Sequence, residues 1–189
     1  MLNLNRKRYV YSYSDMKFKA TILDEVAVKR AMTRISFEII ERVNVSNAVL
    51  VGIKTRGVPL AEAIRANVKA SAGVNLPICE LDITHFRDDV VPEVKVSPDQ
   101  IPFPVEKKDV ILVDDVLFTG RTTRAAIEAV MATGRAATVR LAVLIDRGHR
   151  ELPIRADFVG KNVPTSIKEE IVVHLTETDG ETSVSIYEK

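Results

Sequence analysis

Two adjacent carboxylates, Asp114 and Asp115, follow the apolar run Val110-Ile-Leu-Val113, and a hydroxyl-rich loop, Thr119-Gly120-Arg121-Thr122-Thr123, comes shortly after them. Such a run reads as a strand covered on both faces, so the acids stand at its carboxyl end, where open α/β sheets bind ligands. The loop leads into a helical pattern. Free backbone N–H groups, small hydroxyls and the positive end of a helix dipole therefore converge on one spot suited to a phosphate. Gly120 lets the backbone approach closely, and the acids can accept hydrogen bonds from the paired hydroxyls of a ribose. An acidic pair after an apolar strand also occurs in ATPases, but this chain contains no G-x-x-x-x-G-K-[ST], and its hydroxyl loop follows the acids. A ribose 5-phosphate fits that order better than a nucleoside triphosphate. The plain structural alternative is a strand end followed by a capped helix.

Other chemistries find less support. His85, His149 and His174 are scattered without metal-ligand spacing, and no Ser, His or Cys triad is assigned. A single cysteine, Cys79, excludes an internal disulfide framework and reads as a small core residue, so a reducing cytoplasm is expected. The start is polar and basic where a secretory signal would be apolar, and no apolar run is long enough to span a bilayer. The net charge of +1 argues nothing about nucleic acid. It hides a local excess, because Arg147, Arg150, Arg155, Lys161 and Lys168 face only Glu151 and Asp157 between residues 147 and 168, whereas Glu170 to Glu188 is acidic.

The elements that must position these groups read as one domain, since 189 residues bury a sizeable core and call for no staples. Residues 1–20 lack an apolar period and read as an N-terminal extension to a domain spanning 21–189. From the N-cap Asp24, Val28, Met32, Ile35, Ile39 and Val43 draw one helix face, with Lys29, Arg30, Arg34, Glu38 and Arg42 opposite. Ala48 to Ile53 reads as a buried strand and Pro59 as a first helical position, with Leu60, Ile64 and Val68 behind it. Pro77 to Ile83 is strand-like and precedes a long proline-punctuated stretch from His85 to Asp109, a length usually functional or mobile. After the strand at Val110 come a helix over Thr122 to Met131, a stop at Gly134, and a strand from Thr138 to Ile145. This βαβ series predicts an α/β fold with a central, mainly parallel sheet flanked by helices. Asp157 to Gly160 adds a short strand, and Asp179-Gly180 gives a hairpin-like signal in the tail.

Val110 to Thr122 resembles the binding signature for 5-phosphoribosyl-1-pyrophosphate (PRPP) of type I phosphoribosyltransferases. From Thr21 onward the chain resembles the family of bifunctional pyrimidine-operon regulators and uracil phosphoribosyltransferases. Lys29 to Ile35, Leu50 to Gly57, Leu81 to Asp89 and Asp146 to Asn162 carry that likeness, the last being the most specific.

The resemblance implies a type I phosphoribosyltransferase fold with a small hood over the site, contributed mainly by residues 146–189. It implies that Lys54, Thr55, Arg56 and Gly57 form a pyrophosphate loop, and that Asp114, Asp115, Thr119, Gly120, Arg121, Thr122 and Thr123 hold the ribose phosphate. Arg56, Arg87 and Asp88 take the catalytic roles, the latter two in a flexible loop that closes over the site. The implied reaction is uracil plus PRPP giving UMP and diphosphate, with Mg²⁺ bound mainly through PRPP and no metal ligand assigned directly. The family also implies UMP-responsive binding to the mRNA leader hairpin of pyrimidine genes, by transcription attenuation, and a homodimer or higher homo-oligomer. Arg30, Thr33, Arg34, Arg150, Arg155 and Lys161 are the candidate RNA contacts. Phe37 stands near that face where relatives carry a polar residue. A salvage phosphoribosyltransferase without RNA binding is the alternative, and purine or orotate salvage on the same fold a third.

Overall fold

The computed structural model describes residues 16–86 and 101–189. Strand β1 (Lys17–Leu23) precedes helix α1 (Glu25–Arg42), β2 (Ala48–Ile53), α2 (Gly57–Ala72) and β3 (Ile78–Leu81). Then follow β4 (Asp109–Leu117), α3 (Arg121–Thr133), β5 (Thr138–Asp146), β6 (Phe158–Asn162), β7 (Glu169–His174), the short α4 (Thr176–Asp179) and β8 (Ser183–Glu188).

Periodicity accounts for most of these elements. The Asp24 carboxylate accepts from the Ala27 N–H at 2.8 Å and starts α1, whose Val28, Met32, Ile35 and Ile39 are buried. Every residue of β2 is buried, as a central strand requires. Five strands pair in parallel in the order β3-β2-β4-β5-β6. Apolar side chains pack on both faces of that sheet, one cluster under α1 and α2 and the other under α3. A second, antiparallel sheet has the order β1-β8-β7.

Several boundaries differ from the sequence reading, and three of the differences bear on the site and its surroundings. Strand β1 begins at Lys17, inside the segment set apart as residues 1–20, because Lys17 pairs with Glu188 and Phe18 with Tyr187 in the second sheet. A local apolar period does not reveal it, since most of the strand's side chains face solvent. Pro59 lies beyond the first helical residue, as α2 starts at Gly57. Strand β4 runs past its acids to Leu117, held by its pairing with β5 from Asp109↔Thr138 to Leu117↔Asp146.

Candidate functional site

The strand order reverses between β2 and β4, because the chain passes from β2 to β3 on one side and returns to β4 on the other. Such a switch point opens a crevice at the carboxyl ends of the strands. The β2 ladder with β4 ends at Gly52↔Val113, whereas β4 continues alongside β5. Asp114 and Asp115 follow that last pair and stand at the mouth of the crevice.

A cavity of about 450 Å³ occupies this position. Its walls are Lys54, Thr55 and Arg56 after β2, Asp82 to Thr84 after β3, Asp114 to Val116 in β4, and Thr122 at the start of α3. Helices α2 and α3 both begin at this cavity, and neither has a side-chain cap. Arg56 holds the N-cap position of α2, and Gly120, with φ of 90°, that of α3. Two sets of N-terminal N–H groups and two positive dipole ends therefore lie at one cavity, an arrangement for two anionic groups. The Lys54–Thr55 peptide is cis.

The acids provide the opposite charge. Asp114 is buried, and its Oδ1 accepts from the Asp115 N–H at 2.9 Å; Asp115 Oδ1 accepts from the Val116 N–H at 2.7 Å. Burial holds the Asp114 carboxyl well above the usual carboxylate range, and the neighbouring Asp115 charge adds to the shift. Asp115 is also raised by burial, moderated by its hydrogen bonds with Val116 and Asp114 and by the charge of Arg56. A pair held this way gains from partners that solvate the carboxylates, such as ribose hydroxyls. Gly57 allows the close packing: a Cβ there would lie 2.2 Å from the Val113 carbonyl oxygen, next to Asp114.

The cavity brings together Lys54, Thr55, Arg56, Asp114, Asp115 and Thr122. Thr119 and Gly120 lie instead under the loop after β5, where the Thr119 carbonyl accepts from the Glu151 and Leu152 N–H groups and Gly120 packs against Leu152 and Ile154. Arg121 forms an ion pair with Glu151 at 2.6 Å. Thr123 is buried in α3 and is not among the residues lining the cavity. Arg87 and Asp88 lie outside the described residues.

Sequence reasoning passed over Asp82 and Thr84 as site residues. The rule applied to Asp114, a carboxylate at the carboxyl end of a parallel strand, would have found Asp82 after β3. Its Oδ1 accepts from the Thr84 N–H at 2.9 Å and the Thr84 hydroxyl at 2.6 Å. The sequence also gave no sign of Asp179, which pairs with Arg56 through two contacts. Cys79 is buried, and burial pushes its thiol up to about 11, as befits a core residue.

The candidate RNA residues divide into two groups. Arg30, Thr33 and Arg34 line a shallow groove on α1 with Val26, Lys29 and the exposed Phe37. Arg34 donates from Nη2 to the Val159 carbonyl at 3.0 Å and also reaches the Gly160 carbonyl, which places it beside Lys161 of β6. Arg155 and Lys161 are exposed. Arg150 is turned inward: it donates from Nη1 to the Phe118 carbonyl at 2.8 Å, from Nε to the Ile154 carbonyl at 2.9 Å, and pairs with Asp146. Its guanidinium is engaged in holding the loop, a task that the local excess of cations did not reveal. Arg147 is buried as well, so the outward basic face is smaller than the sequence implied.

Comparisons with known proteins agree with this geometry. The model of the phosphoribosyl transferase domain matches residues 19–178. A bifunctional protein PyrR from Streptococcus uberis is 59% identical over 169 residues, covering 89% of this chain and 96% of its own. One from Oceanobacillus iheyensis is 53% identical over 180 residues, covering 92% and 100%. Among solved structures, a hypoxanthine phosphoribosyltransferase from Staphylococcus aureus has a TM-score of 0.70 at 19% identity, covering 89% of this chain and 92% of that one. The Trypanosoma cruzi enzyme in complex with its product IMP has a TM-score of 0.71 at 14% identity, covering 89% and 94%. These two likenesses concern the fold alone.

Proposed function

The chain belongs to the family of bifunctional PyrR proteins, built on the phosphoribosyl transferase domain, and from that premise we propose a UMP-responsive regulator of pyrimidine operons that is also a uracil phosphoribosyltransferase. The observation that carries the catalytic half is the meeting of the Lys54–Arg56 loop, the Asp114-Asp115 pair and the start of α3 at one cavity.

In this reading the N-terminus of α3, with Thr122 on the cavity wall, binds the 5-phosphate of PRPP, while Asp114 and Asp115 accept from the ribose hydroxyls. Lys54 to Gly57 and the N-terminus of α2 take the pyrophosphate. Departure of pyrophosphate leaves positive charge developing on the ribose ring and negative charge on the leaving group. The two helix dipoles and Arg56 stabilise the leaving group, and the buried acids sit beside the ring. The loop after β5 covers the phosphate loop and would bring the hood segment over the uracil. Arg87 and Asp88, outside the described residues, complete the proposed catalytic set.

Phosphoribosyltransferases use PRPP with Mg²⁺, and among the described residues no group of three carboxylate, histidine or cysteine side chains could hold a metal ion by itself, which fits an ion carried mainly by oxygens of PRPP. Bound in this way, the ion would neutralise pyrophosphate charge beside the carboxylates of the cavity.

The regulatory half places the mRNA leader hairpin against α1 and β6, where Arg30, Thr33, Arg34, Lys161 and the nearby Arg155 supply cations and a hydroxyl. A homodimer or higher homo-oligomer working in the cytoplasm completes the proposal, with residues 21–189 as one domain that β1 extends back to Lys17. No helix among the described residues is long and apolar enough to cross a membrane. The test is an assay of uracil, hypoxanthine, adenine and orotate side by side with PRPP and Mg²⁺, joined to filter binding of a pyrimidine leader hairpin with and without UMP. Turnover of uracil and tighter RNA binding with UMP are expected. Preference for a purine or orotate would overturn the substrate, and RNA affinity indifferent to UMP would leave an enzyme only.

A further inference from the structure

Asp179 ends α4, the helical turn between β7 and β8, and lies 123 residues along the chain from Arg56. Its carboxylate grips the guanidinium at two points, Oδ1 accepting from Nη2 at 2.8 Å and Oδ2 from Nε at 3.2 Å. Oδ2 also accepts from the Leu175 N–H at 3.0 Å and the Thr178 hydroxyl at 2.6 Å. The turn thus fixes the carboxylate through its own backbone and side chains, and the arginine meets it fork to fork.

The partners are 27% and 21% exposed, so the pair is partly withdrawn from water, and the arginine bond holds the Asp179 carboxyl far below its usual range. Lys54, a second cation of the same loop, differs: it pairs with Glu80 at exposures of 42% and 59%, a contact of the weak surface kind. Arg56 also lines the ligand cavity, where its charge acts on Asp115. The guanidinium therefore spans from the second sheet to the site.

We infer that Asp179 is a positioning residue for the pyrophosphate end of the substrate, holding the Arg56 guanidinium at the cavity before the ligand enters. The inference rests on the reading of Lys54 to Gly57 as the pyrophosphate loop. A long side chain ordered in advance loses less freedom when the ligand binds, so the benefit appears as affinity for the group that Arg56 contacts. Two elements far apart in the chain thereby build one binding determinant.

Asp179→Asn separates positioning from mere support of the turn. An amide oxygen still accepts from Leu175 and Thr178, while the amide NH₂ faces Arg56 and the charge is gone. The full-length protein is compared as wild type, D179N, D179A, R56A and the double variant R56A/D179N, by calorimetry with diphosphate and Mg²⁺, calorimetry with UMP, and steady-state kinetics with PRPP. For D179N we expect a melting temperature a few degrees lower with the fold intact, since a partly exposed ion pair is lost. With it come about tenfold weaker diphosphate binding and about tenfold higher KM for PRPP, a factor equal to about 1.4 kcal/mol, with UMP affinity within about twofold. The double variant should be no worse than R56A, because both changes remove one interaction. Unchanged or tighter diphosphate binding in D179N overturns the inference, the tighter case showing Asp179 to be a competitor for the arginine. Equal loss of UMP binding overturns it too, in favour of a structural role. If R56A itself leaves diphosphate binding intact, the reading of the loop fails first, and the inference with it.

Discussion

The buried guanidinium of Arg147 lies 4.0 Å above the ring of Phe118. Phe118 precedes the phosphate loop, and the other side of the guanidinium is tied to the second sheet region: Nη2 donates to the Glu169 carbonyl at 2.7 Å, Nε to the Thr165 hydroxyl at 3.2 Å, and Glu170 stands 3.4 Å away. Burial lowers the pKa of this arginine, against the opposing pull of Glu170 and Glu169. A cation inside a protein persists where its donors are satisfied and an aromatic face receives its charge, as here. One side chain thus connects the loop expected to hold phosphate with the strands that flank it.

Removing that connection should cost stability. Arg147→Ala leaves a cavity and an uncovered Glu169 carbonyl, and we expect a loss of about 3 kcal/mol in urea unfolding. Arg147→Met, which keeps most of the volume, should recover part of that loss. An unchanged midpoint in both variants would show that the contact contributes nothing.

The buried acids predict a stability gain at the expense of binding. The Asp114 pKa is raised on folding, so its contribution favours the folded state at low pH and is lost as pH rises through the folded value, while the unfolded carboxyl ionises near ~3.9. Asp114→Asn removes that cost and should melt above the wild type at neutral pH, with the gap narrowing as pH falls. The same change combined with Asp115→Asn should weaken PRPP binding by about a hundredfold or more in calorimetry with Mg²⁺, since two charged acceptors are lost. Full PRPP affinity in the double variant would remove the acids from the site.

Gly57 predicts a change with little chemistry in it. A Cβ at this position would sit 2.2 Å from the Val113 carbonyl oxygen, a backbone atom that yields only if α2 and β4 move apart. Gly57→Ala should therefore lower stability by about 2 kcal/mol and displace the Lys54–Arg56 loop from Asp114. Thermal unfolding and diphosphate titration should show both losses together; an undisturbed protein would mean that the close approach has no consequence.

Arg150 and Arg155 should separate although they stand close in the sequence. Arg150 holds the Phe118 and Ile154 carbonyls, so Arg150→Ala is expected to impair uracil phosphoribosyltransferase turnover by loosening the phosphate loop. Arg155 is exposed, and Arg155→Ala should leave turnover unchanged while weakening leader RNA and flattening its salt dependence by about one unit of slope. Filter binding at several salt concentrations, run beside the enzyme assay, checks both; the reverse pattern would exchange the two roles.

What the sequence determined by itself was whatever depends on neighbours along the chain. The stripe from Val28 to Ile39 specifies α1, the apolar runs at Val49 and Val110 specify central strands, and Gly120 among hydroxyls marks a helix start that leaves its N–H groups open. Local spacing encodes these because each depends on residues a few positions apart. The tertiary structure decided which charges face the cavity. Arg56 and Asp179 meet across 123 residues, β1 finds its partner in β8, and the cations at 147 and 150 turn inward to an aromatic ring and backbone carbonyls while Arg155 remains outside. A charged residue in a sequence carries no direction, and its role is set by which carbonyls, carboxylates and rings the packed strands bring within reach.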